Sequence, residues 1–144
     1  MKNSNSIFLS LGSNIGDKES NLIDAVRLIS NFAKIIKISS VYKTEPLLYK
    51  EQDDFFNIVI EIEYQGTARN LLIKIKEIET QMGRKKNFRY GPRLIDIDII
   101  FFKGEEIKEE DLIIPHYDWQ NRLFVVEPLY DCLLYTSDAA DDDH

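Results

Sequence analysis

Several large protein classes are excluded by what this chain lacks. It has one cysteine, Cys132, so no intrachain disulfide can form, which suits a reducing compartment. No stretch approaches the ~20 apolar residues of a membrane-spanning helix. The apolar run inside MKNSNSIFLSLGSN is too short for a secretory signal. A cytoplasmic protein with no membrane partner is therefore expected. Positive charge is also scarce: the formal net charge is −7, which argues against a general nucleic-acid binder. Internal repeats and linker-like stretches are missing. The 144 residues thus point to one domain, long enough to bury a core.

Against this acidic background one segment departs sharply. Residues 84–93, RKKNFRYGPR, hold five cations (Arg84, Lys85, Lys86, Arg89, Arg93) and no acid. Four acids (Asp138, Asp141, Asp142, Asp143) crowd the last seven residues, so the rest of the chain is only mildly acidic. A local cationic loop on such a body fits a small anionic ligand better than a duplex backbone. The apolar run that follows is interrupted by Asp96 and Asp98 at strand spacing, which puts both carboxylates on one face with Cα atoms ~6.5–7 Å apart. Cations meet phosphate oxygens, and carboxylates hold hard ions such as Mg²⁺. Two carboxylates at this spacing can share two divalent ions in phosphoryl transfer. Ile100 and Phe102 are expected to continue the same face. Phe88 and Tyr90, set among the cations, offer surfaces for stacking a planar ring. Plainer readings stand beside these: a solvated basic turn, and two acids on the wet face of an outer strand.

The remaining pattern alternates strand and helix. Residues 6–11 read as a strand and GSNIGD as a turn; the turn lacks the Gly-Lys-Ser/Thr ending of a P-loop. Leu22, Val26, Ile29 and Phe32 give helical periodicity over 18–33, with Asp17 or Ser20 as N-cap. Residues 35–43 are rich in β-branched side chains and read as a strand, followed by a polar loop over 47–54. In residues 55–64, Phe56, Ile58, Ile60, Ile62 and Tyr64 share one face, and Asn57, Val59, Glu61 and Glu63 the other. Thr67 caps a second helix whose apolar face is Leu71, Leu72, Ile75, Ile78 and Met82, stopped by Gly83. A strand over 94–102 ends at a Lys103-Gly104 turn. Residues 105–124 read as irregular, and Glu127 to Cys132 as the start of a short helix. The order β-α-β-β-α-β predicts an α+β, ferredoxin-like fold, an antiparallel sheet with helices packed on one face. The domain is expected to span residues 1–134. Residues 135–144 form an acidic tail expected to be disordered, read either as a frayed terminus or as translated sequencing-adapter sequence foreign to the fold.

Three polar residues add weak signals. Asn57 carries a carboxamide, whose donor and acceptor match the edge of a pterin or purine. His116, in PHYD, and Arg122, in NRLF, gain interest only from their company.

Together these residues carry a resemblance. Arg89-Tyr90-Gly91-Pro92-Arg93-Leu94-Ile95-Asp96-Ile97-Asp98-Ile99-Ile100 is similar to the signature of the 6-hydroxymethyl-7,8-dihydropterin pyrophosphokinase family. Supporting matches are Leu11-Gly12-Ser13-Asn14, Ser39 through Thr44, Phe56-Asn57, Glu79 through Arg84, and Pro115-His116-Tyr117-Asp118. The resemblance implies an ATP- and Mg-dependent enzyme of folate biosynthesis that moves diphosphate from ATP to the pterin. It implies Asp96 and Asp98 as ligands of two Mg²⁺ ions, with Arg84, Lys86 and Arg93 completing the catalytic set. It sets His116, Tyr117 and Arg122 around the ATP phosphates and ribose, and Glu79 and Ile99 near the adenosine. Thr44, Leu47, Phe55, Asn57 and Phe124 would form the pterin pocket, with Phe55 and Phe124 stacking on the ring. The implied partners are these two small molecules alone, with no nucleic acid, no membrane and a monomeric chain.

The sequence also departs from the family. Lys86 and Tyr90 stand where members carry Arg and Trp, and Lys lacks the bidentate fork. Glu45 replaces a Pro, Phe55 a Tyr, and Asp111 lies near where some members place an Arg for ATP. Two rival readings stand beside it: a metal-dependent nuclease or nucleotidyltransferase, which Asp-x-Asp plus the cations could also serve, and a non-catalytic ferredoxin-like binding module.

Overall fold

The computed structural model describes residues 5–45, 54–83 and 94–116. Nine elements are laid out in it: β1 (Ile7–Ser13), α1 (Lys18–Ile29), β2 (Lys34–Ile38), β3 (Tyr42–Thr44), β4 (Phe55–Glu63), α2 (Ala68–Gln81), β5 (Asp96–Phe102), β6 (Ile107–Glu109) and β7 (Leu112–Ile114). The expected short helix from Glu127 and the tail over 135–144 lie outside the described residues.

The architecture is α+β. The main sheet runs in the order β2-β4-β1-β5, with β3 pairing β4 beyond the end of β2. All of its pairings are antiparallel. β1 is the central strand, and all seven of its residues are buried. Its side chains alternate between two surroundings, as strand geometry requires. Ile7, Leu9 and Leu11 enter a core with Ile58, Ile60 and Ile62 of β4 and Ile97 and Ile99 of β5. Both helices close that core from the same side: Leu22, Ala25 and Ile29 come from α1, and Leu71, Ile75 and Ile78 from α2. Phe8, Ser10 and Gly12 face the other way.

The helix ends follow local chemistry. The Asp17 carboxylate accepts from Ser20 N–H at 3.1 Å and caps α1. α1 stops at Ile29, four residues short of the periodic pattern, because Ser30 Oγ donates to Arg27 O at 2.6 Å and the chain turns into β2. Phe32, counted with that helix, packs instead at its end, edge-on to Tyr64 with ring centroids 5.9 Å apart. In α2, Thr67 and Asn70 form a reciprocal capping box. Gly83 ends the helix with φ +85°, a backbone shape that a side chain disfavours.

Four further expectations change. β1 runs two residues past the expected end, so Gly12 and Ser13 belong to the sheet and not to the turn. The single strand expected over 35–43 is two, because Ser39 interrupts the ladder with its own side chain: Ser39 Oγ accepts from Val59 N–H at 2.9 Å, where a backbone carbonyl would normally serve. A register shift between Phe8 and Leu9 against β5 inserts Ile100, so Phe101 lies opposite Phe8 and Phe102 turns into the core. The two rings opposite each other, Phe8 and Phe101, meet edge-on at 6.4 Å between centroids. Last, residues 107–114 are not irregular but form the β6–β7 hairpin, in register Ile107↔Ile114 through Glu109↔Leu112. Leu112 and Ile114 are buried and Ile113 is exposed, the alternation of a half-buried strand.

The hairpin is tied to α2 by Arg69, whose hydrogen bond holds the Asp111 carboxyl below the usual carboxylate range. A lowered carboxyl stabilises above its unfolded pKa, and that contribution is lost as pH falls through the folded value. Because the pair is exposed, the contribution is screened and small.

Ser39 gives the sharper test. Ser39→Ala leaves the buried Val59 N–H without its acceptor and is expected to cost about 1–3 kcal/mol. Urea denaturation should show a lower midpoint with an unchanged slope, and an unaltered midpoint would mean that the Ser39 bond contributes nothing.

Candidate active site

The face of the sheet turned away from the helices gathers the polar residues. In antiparallel pairing, residues directly opposite each other point to the same face. Gly12 is opposite Asn57 on β4 and opposite Asp96 on β5. Ser10 is likewise opposite Val59 and Asp98. Two rows therefore cross three strands: Asn57–Gly12–Asp96 and Val59–Ser10–Asp98. Tyr42 and Thr44 of β3 extend the face, opposite Asn57 and Phe55. Strand spacing sets Asn57 and Asp96 roughly 10 Å apart, the width of two strand gaps.

The first row is anchored at its Asn57 end. Asn57 is 2 % exposed, and its Nδ2 donates to Thr44 Oγ1 at 2.8 Å and to Tyr42 O at 3.3 Å. Its NH₂ group is thus committed to β3, which fixes the direction of Oδ1. A methyl group at Gly12 would stand 2.9 Å from that Oδ1 and 3.4 Å from Phe55 Cδ1. Glycine is required here by close approach, not by backbone angle, and the small residue lets Asn57 lean over β1. The turn after β1 is secured from α1: Asn21 Nδ2 donates to Ser13 Oγ at 3.0 Å and to Ile15 O at 2.8 Å.

Asp96 opens β5 and Asp98 follows with its side chain 35 % exposed, so both carboxylates are reachable from solvent. Between them, Ile97 points into the core, and its N–H is taken by Glu79 Oε2 at 2.9 Å. Glu79, from the last turns of α2, is 1 % exposed; Lys76 Nζ lies 3.5 Å from its Oε1. The resemblance sets Glu79 near adenosine, and in this geometry its carboxylate also braces the outer edge of β5 between the two aspartates. Ile99, the other expected adenosine neighbour, has its side chain in the core, 5 % exposed. His116 arrives from the hairpin. Its N–H donates to Ile100 O at 3.0 Å, and its Nε2 lies 4.0 Å from Asp98 Oδ1.

Of the residues expected from sequence, Thr44, Phe55, Asn57, Asp96, Asp98 and His116 come together around this face, and Glu79 and Ile99 lie just behind it. Arg84, Lys86, Arg93, Leu47, Tyr117, Arg122 and Phe124 lie outside the described residues, as do Phe88 and Tyr90. Gly12, expected in the turn and within the Leu11-Gly12-Ser13-Asn14 match, takes a role that sequence reasoning does not assign: a glycine inside a strand signals close backbone approach.

The donor set suits a hard divalent ion. Two carboxylates on one strand face leave coordination positions for water and phosphate oxygens, the arrangement Mg²⁺ prefers. Among the described residues, no group of three His, Cys, Asp or Glu forms a self-sufficient metal cage.

The protein is a small α+β chain that gathers paired carboxylates and a locked carboxamide on one sheet face. The chain belongs to the 7,8-dihydro-6-hydroxymethylpterin-pyrophosphokinase family, whose pattern matches residues 8–133. It is 42% identical over 127 residues to 2-amino-4-hydroxy-6-hydroxymethyldihydropteridine pyrophosphokinase of Bacillus subtilis, covering 87% of this chain and 76% of that protein. The protein of the same name in Aquifex aeolicus is 40% identical over 123 residues, covering 85% of this chain and 77% of the relative. The bifunctional protein FolKE of Lactococcus lactis is 42% identical over 128 residues; the match covers 88% of this chain but only 37% of that longer protein.

Two substitutions test the geometry. Glu79→Ala removes the acceptor of a buried N–H and is expected to cost about 1–3 kcal/mol in urea denaturation, with Glu79→Gln losing less because an oxygen remains. Gly12→Ala forces Asn57 or β1 to move and is expected to cost about 1–3 kcal/mol as overpacking. A Gly12→Ala protein as stable as the parent would show that Asn57 is not pressed against β1.

Proposed function

We propose that the chain transfers the terminal diphosphate of ATP to 6-hydroxymethyl-7,8-dihydropterin, giving the pterin diphosphate and AMP in folate biosynthesis. Family membership and the relatives of that name support the reaction. One structural observation supports the assignment of roles: Asn57 and Asp96 flank Gly12 on the same face, one strand apart on either side. A pterin whose edge is read by Asn57 would extend its hydroxymethyl group across Gly12 toward the carboxylates.

On this reading the pterin pocket consists of Thr44, Leu47, Phe55, Asn57 and Phe124. Thr44 orients the Asn57 amide, and the two phenylalanines stack on the ring. Arg84, Lys86 and Arg93 meet the phosphates, with His116, Tyr117 and Arg122 around the phosphates and ribose and Glu79 and Ile99 toward the adenosine. Asp96 and Asp98 would hold Mg²⁺, two ions in all, whose charge offsets that of the phosphate oxygens. The hydroxymethyl oxygen attacks the β-phosphorus in line; that O–P bond forms as the bridge between the α- and β-phosphorus breaks, AMP leaves, and the hydroxyl proton is released. The protein contributes positioning and fixed charge, the usual means in phosphoryl transfer. No side chain is assigned as general base.

The fold fits this role. The element order with the strand order β2-β4-β1-β5 supports a ferredoxin-like reading. On this reading residues 1–134 are a single domain with 135–144 as an appended tail; the family pattern over residues 8–133 supports it. Among the described residues no helix is long and apolar enough to cross a membrane. Lys34 and Lys37 on the outer strand β2 discourage edge-to-edge pairing and support a monomer. A monomeric cytoplasmic enzyme acting on two small molecules is the whole proposal.

The test is an AMP-release assay with ATP, Mg²⁺ and hydroxymethyldihydropterin. The unaltered protein should release AMP only when the pterin is present. Asp96→Ala and Asp98→Ala should each lower kcat by roughly 10²-fold or more, the scale for losing preorganised charge stabilisation, and chelation of Mg²⁺ should abolish turnover. Absence of pterin-dependent AMP would refute the reading, and cleavage of oligonucleotides would favour the nuclease rival.

A further inference from the structure

The β6–β7 hairpin is a small element with a long reach. Its strands have three residues each, too few for a hairpin to stand alone. Two apolar anchors, Leu112 and Ile114, sink into the core, and beyond them the chain reaches His116 through Pro115. His116 is fixed to β5 by its N–H on Ile100 O and stands beside Asp98. The far end of the hairpin is tied elsewhere. Arg69, in the first turn of α2, donates from Nη1 to both oxygens of Asp111 at 2.9 and 2.8 Å, and from Nη2 to Glu109. Glu109 ends β6 and Asp111 sits in the turn before β7, so one guanidinium grips the end of β6 and the tip together.

Arginine suits this task because its planar fork meets two acceptors at once, where a lysine ammonium would meet them as a point charge. The side chain is 41 % exposed, so the tie is not a major source of global stability. Its effect is directional. With Leu112 and Ile114 as pivot, movement of the tip rocks β7 and carries His116 with it. The guanidinium comes from α2 and both acids from the hairpin.

We propose that Arg69 is a positioning residue for the candidate active site: by clamping Glu109 and Asp111 it holds the hairpin against α2 and so sets His116 beside Asp98. The inference rests on the pyrophosphokinase reading for its catalytic consequence, but not for the structural coupling. Arg69 acts through the hairpin and not through contact with substrate.

The experiment measures amide hydrogen exchange and steady-state kinetics on the full chain. Three proteins are compared with the parent: Arg69→Ala, Asp111→Asn, and the reversed pair Arg69→Asp with Asp111→Arg. In the two single variants, exchange at His116 and Ile114 should speed by roughly five-fold, the scale of one exposed charge pair, while Leu9 and Ile60 exchange as before. KM for ATP should rise several-fold with kcat little changed, and the reversed pair should recover both. Unchanged exchange at His116 in both single variants would overturn the coupling. Faster exchange with an unmoved KM would reduce Arg69 to a structural tie and overturn its positioning role, as would a reversed pair that recovers neither. A parent protein that released no AMP would refute the reaction itself, and the exchange result would then still decide whether Arg69 sets His116.

Discussion

Everything in this molecule depends on the register of one buried strand. β1 is paired on both sides, so each of its residues fixes what stands opposite on two neighbours. Because side chains alternate, the strand delivers Ile7, Leu9 and Leu11 to the helices and Phe8, Ser10 and Gly12 to the other face. A slip of one residue would send the core outward and scatter the Asn57–Gly12–Asp96 row. The helices are the counterweight. By covering one face with Leu22, Ala25, Ile29, Leu71, Ile75 and Ile78, they enforce the register that assembles the other.

Packing and chemistry are therefore two results of the same alternation. Ile97 and Ile99 hold β5 in the core, and the intervening Asp98 is presented to solvent because its neighbours are not. Glu79 adds a brace at the edge of that strand, a buried carboxylate accepting the N–H between the two aspartates. Asn57 is locked by its own amide donors, so the acceptor it offers has a fixed direction. Such commitments before any ligand arrives are what preorganisation means in structural terms. The hairpin extends the same logic, bringing His116 to Asp98 from a segment that follows β5 in sequence.

Much of this was legible in the residues. The period-2 pattern over 55–64 and the period-3.6 pattern of α2 are long enough to be unambiguous, and Thr67 and Gly83 mark the helix ends by cap chemistry. The Asp-x-Asp spacing placed both carboxylates on one face, as found. Legibility failed where an element was short or a side chain replaced backbone. Three-residue strands carry too few alternations to declare themselves, so the β6–β7 hairpin passed for irregular chain. Ser39 broke a strand by supplying its own acceptor to Val59, which β-branched content does not reveal. The inserted Ile100 reversed the parity of Phe101 and Phe102, since a bulge depends on the partner strand as well as on local sequence. Gly12 looked like the start of a turn because its purpose, room for Asn57 from a strand 45 positions later, exists only after folding.

In the proposed function one sheet face, the one turned from the helices, holds metal, phosphate and pterin together. Paramagnetic relaxation by Mn²⁺ bound with a non-hydrolysable ATP analogue reads this directly. Amide signals at 96–98 should broaden most, those of Ser10 and Gly12 across the strand next, and Asn57 measurably, while residues on the outer turns of α1 keep their linewidths. Broadening centred on the outer surface of α2, with residues 96–98 and Gly12 untouched, would contradict the account.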